Sequence, residues 1–549
     1  MNQRPDGRRR RCRPPARAVR RVGGPHYIVR VSTLWRGEKI WTGTEFVTGV
    51  LVEAGRVVAT GDAESLAAQT VSQIETLPGA LVVPGLHDAH IHAASLARVR
   101  TEVDVRGCAD EFEAAERVAR FLAANPGTGL VWGGAWDANQ WGGRQPHRRT
   151  LDVVTGPRPV VLASADYHSL WANSAALRLV GYGPETTDPA GGRLERDADG
   201  ELTGVLRETA CTAFDDLPID DADALPGLMA QTIDDLLAVG LTGITEIDHE
   251  DAHVALRALH EQGALKMRVS KAIRHEDLPL AMQQGRRTGE GDDWIRVGPL
   301  KLFADGALGS HTCHMTEAFA GEDGHDGGHG VPTLTQEQLK VYTELAVRAG
   351  IAVATHAIGD RAATEVLDAY EHVLGATGSD LRLRIEHAQH LRRADLARMA
   401  RLGVVGSMQP VHCTTDFELV DALLDGHDIV SYGWRSALDA GVPLAFGSDA
   451  PVEDPNPFVA LHAAVTRQRV DGTPAGGWQP HERVSMIEAL AAHSRGAAYA
   501  AGWDDVGTLT PGMLADFVAV DTDLIATPER AHEARALTTV VGGQVRFSG

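Results

Sequence analysis

Cysteine is scarce and scattered. The 549-residue chain has five, Cys12, Cys108, Cys211, Cys313 and Cys413, and no CxxC among them. That spacing argues against a disulfide framework or a cysteine-rich zinc site and suits a reducing cytoplasm, the expected location. Long apolar runs are missing too: no window approaches the roughly 18 uninterrupted apolar residues of a membrane-spanning helix. Positive charge is sparse outside the N-terminus. The net charge is −22, while residues 1–25 hold nine Arg against one Asp, including RRRRCR at 8–13. The remainder therefore carries about −30. Such an acidic body argues against a nucleic-acid surface. The Arg-rich arm, residues 1–26, lacks the apolar stretch of a secretory or twin-arginine signal. Rich in Arg, Pro and Gly, it reads as a disordered tail.

What is present is a chain 43% hydrophobic, enough for large cores. Both ends carry short β-prone runs broken by glycine turns, at 33–62 and at 506–523 with 538–549. One small β-sandwich built from both termini, 27–80 with 500–549, is expected. The middle alternates apolar runs with amphipathic segments: LVVPGLH (81–87), LTGITEI (241–247), MRVSKAI (267–273), VGPLKLF (297–303), GIAVATH (350–356), LRLRIEH (381–387), GVVGSMQ (403–409) and VPLAFGSD (442–449). Strands alternating with helices imply βαβ units, and eight of them imply an α/β fold, a (β/α)8 TIM-like barrel over 81–499. The long gap after the first run reads as an insertion at about 102–240. An insertion there sits at the C-terminal face of a barrel, where it can cap a site.

VVPGLHDAHIH, residues 82–92, ends an apolar run with His90 and His92 one residue apart. On a strand they share a face and can chelate one ion; a His-rich turn is the plainer alternative. Further candidates stand in or at the ends of later runs: Lys301 in PLKLFADGALGS, His356 in ATHAIGDRA, His387 in RIEHAQH and Asp449 in FGSDAPVEDPNP. Each has an ordinary explanation alone. A strand-end His is more often structural, Lys301 could be an ion-paired lysine, and Asp449 could cap a helix. Together, at barrel-strand ends, His, Asp and Lys form a metal-hydrolase pattern.

PGLHDAHIH, KLFADGALGS, HAIGDRA, RIEHAQ and FGSDAPVEDPNP, in this order, resemble the amidohydrolase superfamily, in the YtcJ-like branch that includes N-substituted formamide deformylases. WDANQW (136–141), DYHSLWANSAAL (166–177) and GMLADFVAVD (512–521) extend the likeness over nearly the whole chain from about residue 33. The resemblance implies one or two divalent ions, with zinc the expected metal. His90 and His92 would bind the more buried ion, His356 and His387 the second. Lys301, as an N-carboxylated (carbamylated) lysine, would bridge them. Asp449 would ligate the first ion and act as general base and then acid. Carboxylation would turn an ammonium, which cannot ligate a cation, into an oxygen donor.

His168 in DYHSLWAN is a candidate for orienting a substrate carbonyl or stabilising an oxyanion, or else a structural residue. Asp305 and Asp360 read as supporting groups. Trp136, Trp141 and Trp171 either line an apolar pocket or pack a core. The leading expectation is a hydrolase of amide-type C–N bonds acting on a small-molecule substrate. The same site could instead attack an ester, lactone or phosphoester, and a binding protein on a hydrolase fold is a third reading. No nucleic-acid or membrane partner is expected, and a homodimer is left open. The sequence does not identify the substrate.

Overall fold

The computed structural model describes residues 31–69, 71–214, 217, 223–321 and 328–549; the Arg-rich arm at 1–26 lies outside them. Eight parallel strands form the centre. They are numbered here β1 (Leu86–Ile91), β2 (Leu241–Glu246), β3 (Arg268–Arg274), β4 (Ile295–Phe303), β5 (Val353–Ala357), β6 (Arg384–His387), β7 (Val405–Met408) and β8 (Leu444–Phe446). They hydrogen-bond in chain order from β1 to β8. Most of their residues are buried on both faces, as in a parallel sheet wrapped by helices. The outer helices are amphipathic and capped. Gln336–Arg348 opens with a capping box between Thr335 and Gln338, and Asp360–Thr377 ends on left-handed Gly378.

The barrel is nearly closed. Asp449 N donates to His90 O at 2.7 Å, and Ser448 N donates to the Asp88 carboxylate at 3.0 Å. Gly447 permits this approach: a Cβ there would lie 2.6 Å from both Asp88 Oδ1 and His90 N.

The run LVVPGLH splits in two. Leu81–Pro84 joins a different sheet, pairing antiparallel with Phe517–Val520, and β1 begins only at Leu86. Pro84 lacks an amide donor. Gly85 fits where a Cβ would stand 2.3 Å from Thr242 Oγ1, and its amide donates to Asp516 O. His90 therefore lies within β1, and His92 just beyond it opens helix Ala93–Val99.

That second sheet draws on both ends of the chain. Ser32–Trp41, Phe46–Glu53, Arg56–Gly61, Gln73–Thr76 and Leu81–Pro84 join Phe517–Val520, Ala536–Val541 and Gln544–Ser548 in one eight-stranded sheet. An irregularity between Arg36 and Ile40 interrupts its first strand, and both arms share a core in which the Trp35 and Phe517 rings meet at 5.2 Å. A buried Arg268–Asp516 pair ties this sheet to β3 of the barrel.

Between β1 and β2 lies a third sheet of six strands, running from Val103–Asp104 to Leu202–Glu208. It docks on the loop after β4. Arg207 Nη1 donates to Ser310 O at 3.2 Å, Asn139 Nδ2 donates to Gly309 O at 3.2 Å, and Ser310 Oγ donates to Asp166. Trp136, Trp141 and Trp171 pack in its core, and Trp136 also borders the cleft below. Among the described residues, no helix is long and apolar enough to cross a membrane.

Candidate metal centre

The C-terminal ends of the barrel strands surround a cleft of about 240 Å³, roofed by the inserted sheet. A row of imidazoles runs along and beneath its floor, where His168, His356 and His387 line it. The rings of His90 and His387 lie 4.9 Å apart, those of His387 and His356 4.5 Å, and those of His356 and His168 5.1 Å. Ligand atoms of His90, His387 and Asp449 all fall within 4.8 Å of one another, the one such group among the described residues.

Each imidazole is fixed by a partner on one nitrogen. His90 Nδ1 meets Glu386 Oε2 at 2.5 Å, and His92 Nδ1 meets Asp248 Oδ1 at 2.7 Å. Burial pushes His90 down to about 4, so it is neutral at pH 7. Arg384 and His90 hold Glu386 below the usual carboxylate range against its burial. An ionised carboxylate only accepts, so Nδ1 carries the proton and Nε2 is left with a lone pair. Both Nε2 atoms lie 3.5 Å from Asp449 Oδ1. His387 Nδ1 donates to Gln409 Oε1 at 2.9 Å. His356 is turned the other way: its Nε2 donates to Gly306 O at 3.0 Å, leaving Nδ1. Burial holds both of these imidazoles neutral.

Lys301 is fully buried on β4, two residues before Phe303, which pairs in register with His356 of β5. Burial lowers its ammonium to about 7. Lys301 Nζ and His90 Nε2 are buried without a hydrogen-bond partner. Two orphaned atoms of this kind, beside carboxylate and imidazole donors, fit a cation centre: an ion bound there would offset a cost that packing does not. The backbone agrees. His387 and Asp449 both take left-handed conformations, at φ 68° and 62°. Non-glycine residues held there mark sites where side-chain aim outweighs local comfort. The helix that follows, Pro457–Thr466, is capped by Asn456, so Asp449 is no helix cap.

His168 hangs from the insertion over this row. Its Nδ1 meets Glu208 Oε2 at 2.9 Å. Burial alone would lower the imidazole, but the Glu208 charge and hydrogen bond raise it to about 9. It is a cation at neutral pH and lines the cleft. Asp305 accepts amides from His314, Ile358 and Gly359, bracing the loop that carries His356. Asp360 holds Thr316 and Arg392.

His412 was not foreseen. It lies on helix Pro410–Leu423 after β7, with Nε2 3.3 Å from Asp449 Oδ2 and Nδ1 3.3 Å from Glu453 Oε1. Burial opposes its charge, yet these two carboxylates raise it to about 10. The signal was the HC in MQPVHCTTD directly after a barrel strand, a position of the same kind as the others. Glu386 and Asp248, the partners of His90 and His92, were missed as well.

Comparison with known proteins gives a concordant result. A family model described as amidohydrolase family matches residues 73–547. An N-substituted formamide deformylase of Arthrobacter pascens is 32% identical, covering 91% of this chain and 94% of that one. The protein LONG AFTER FAR-RED 3 of Arabidopsis thaliana is 32% identical over 85% of this chain and 82% of its own. Among solved structures, an uncharacterized metal-dependent hydrolase from Pyrococcus horikoshii superposes with a TM-score of 0.73 at 26% identity, covering 91% of this chain and 99% of that one.

Proposed function

The chain belongs to the amidohydrolase family, and on that premise we propose that it hydrolyses a carbon–nitrogen bond of the amide or N-formyl type. The observation that carries this reading is the convergence of His90, His387 and Asp449 beside the orphaned Nε2 of His90 and Nζ of Lys301. His90, His92 and Asp449 would hold one divalent ion, and His356 and His387 a second. Lys301 would join them after its neutral amine adds carbon dioxide and loses a proton. Imidazole and oxygen donors suit zinc. A divalent ion bound there supplies Lewis acidity for a carbonyl and a water.

The chain's own groups then divide the work. Asp449 stays ionised: burial opposes its charge, but the cationic His412 bonded to its Oδ2 helps hold it far below the usual carboxylate range. It can take a proton from the attacking water and return it to the leaving nitrogen. His168, as a cation, donates Nε2–H toward the carbonyl oxygen where negative charge develops. The inserted sheet over the barrel mouth limits water around these groups.

A panel of N-formyl amines, acyl amides, esters and lactones, run on metal-loaded protein, tests this reading. Turnover of amide or N-formyl substrates supports it. Turnover of esters alone moves the assignment to a different electrophile.

A further inference from the structure

Beside the imidazole row the cleft wall changes character. Asp166, Asp416 and Glu453 line it, together with Gln389. Gln389 is 4% exposed, and its Oε1 is buried without a hydrogen-bond partner. A buried amide oxygen left unpaired costs free energy until a donor reaches it. Tyr432 joins this residue to its acidic neighbour: its amide donates to Gln389 O at 2.6 Å, and its hydroxyl donates to Asp416 Oδ2 at 2.6 Å.

The cations nearby are already engaged. His168 pairs with Glu208, Arg207 with Glu195, and His412 with Glu453 and Asp449. Asp166 accepts from Ser164, Ser310 and the His168 amide. No ion pair reaches Asp166 or Asp416 among the described residues. Burial raises Asp416 to about 6, so it remains mostly ionised at neutral pH. Arg106 also borders the cleft, at its exposed rim, with Nη2 donating to Pro451 O at 3.4 Å.

We propose that Gln389 and Asp416, with Asp166 facing the same cleft, form a subsite for a cationic nitrogen, so that the substrate is an amide-type compound bearing a protonated amine or guanidinium. The inference rests on the C–N hydrolase reading above for the chemistry, but not for the binding. Every group in the subsite presents an acceptor, and an ammonium offers several donors and a charge. His412 and Asp416 are four residues apart on one helix, so they share a face about one turn, ~5.4 Å, apart. A cation at Asp416 therefore lies a short spacer away from the bond attacked beside Asp449.

Three compounds of matched length test this: N-(4-aminobutyl)formamide, its neutral isostere N-pentylformamide, and anionic N-formyl-5-aminopentanoate. Binding is measured by calorimetry on chelator-treated protein, and hydrolysis on metal-loaded protein. The cation is expected to bind about tenfold or more tightly than the isostere, and the anion most weakly. High salt should shrink that ratio in the unaltered protein, and Asp416→Asn and Gln389→Leu should each bring it toward one. Equal binding of cation and isostere overturns the subsite, even if both are hydrolysed and the C–N reading stands. Selective binding of the cation without hydrolysis of any of the three supports the subsite and counts against the C–N reading.

Discussion

Glu386 of β6 does not support its neighbour His387; it reaches across the barrel to His90 of β1, with Oε2 2.5 Å from Nδ1. Arg384, also on β6, bonds both Glu386 oxygens and so fixes that carboxylate. The first and sixth strands are thus joined through a buried triad that sets which His90 nitrogen faces the candidate ion.

Glu386→Gln keeps the shape and removes the charge. It is expected to weaken metal binding about 10–100-fold, the usual cost of losing such a carboxylate behind a ligating histidine. It also leaves Arg384 buried without its charge partner, at a cost of about 3 kcal/mol. Chelator competition and urea unfolding measure the two effects separately.

His168 gives a pH signature. Its folded value, about 9, lies above the ordinary 6.5 because Glu208 outweighs burial. The charged form is therefore favoured by folding. Its contribution, up to roughly 3 kcal/mol, is fully present below pH 6.5 and is lost as pH rises toward 9. Urea midpoints between pH 6 and 10 should fall over that window, and Glu208→Gln should flatten the slope.

The same residue has a catalytic signature. His168→Gln removes the cationic donor while leaving the candidate metal ligands in place. Turnover number is expected to fall about 100-fold with metal content unchanged. An unaltered turnover number would remove His168 from the chemistry.

Gly447→Ala tests how the barrel closes. Its Cβ would meet Asp88 Oδ1 and His90 N at 2.6 Å, and both belong to the hydrogen-bonded strand on which the site is built. Stability should drop by about 1–3 kcal/mol, and metal uptake should weaken with it. Elemental analysis and urea unfolding of the purified variant check both.

The barrel was legible because its strands are short apolar runs separated by amphipathic stretches, and each run from LTGITEI onward lies on one observed strand. The first run was misplaced by its proline: Pro84 and Gly85 hand the chain from one sheet to another, and periodicity alone does not mark such a break in an apolar stretch. His90, His92, His356, His387 and Asp449 were visible because histidine and aspartate are conspicuous at strand ends, and Lys301 because charge is conspicuous in an apolar strand. Their partners were not. Glu386 and Asp248 lie 296 and 156 residues from the histidines they hold, and only the three-dimensional closure of the barrel pairs them. The Gln389–Asp416 wall escaped notice for the same reason, since Asp416 on helix Pro410–Leu423 shows nothing unusual until it is set over the cleft.

Whether these groups hold divalent metal can be measured directly. Elemental analysis of protein purified without chelator, with a His90→Ala/His92→Ala variant alongside, does so. About one or two zinc-class ions per chain are expected, lost in the variant. Protein that is metal-free, and stays so when supplied with zinc and bicarbonate, would contradict that expectation.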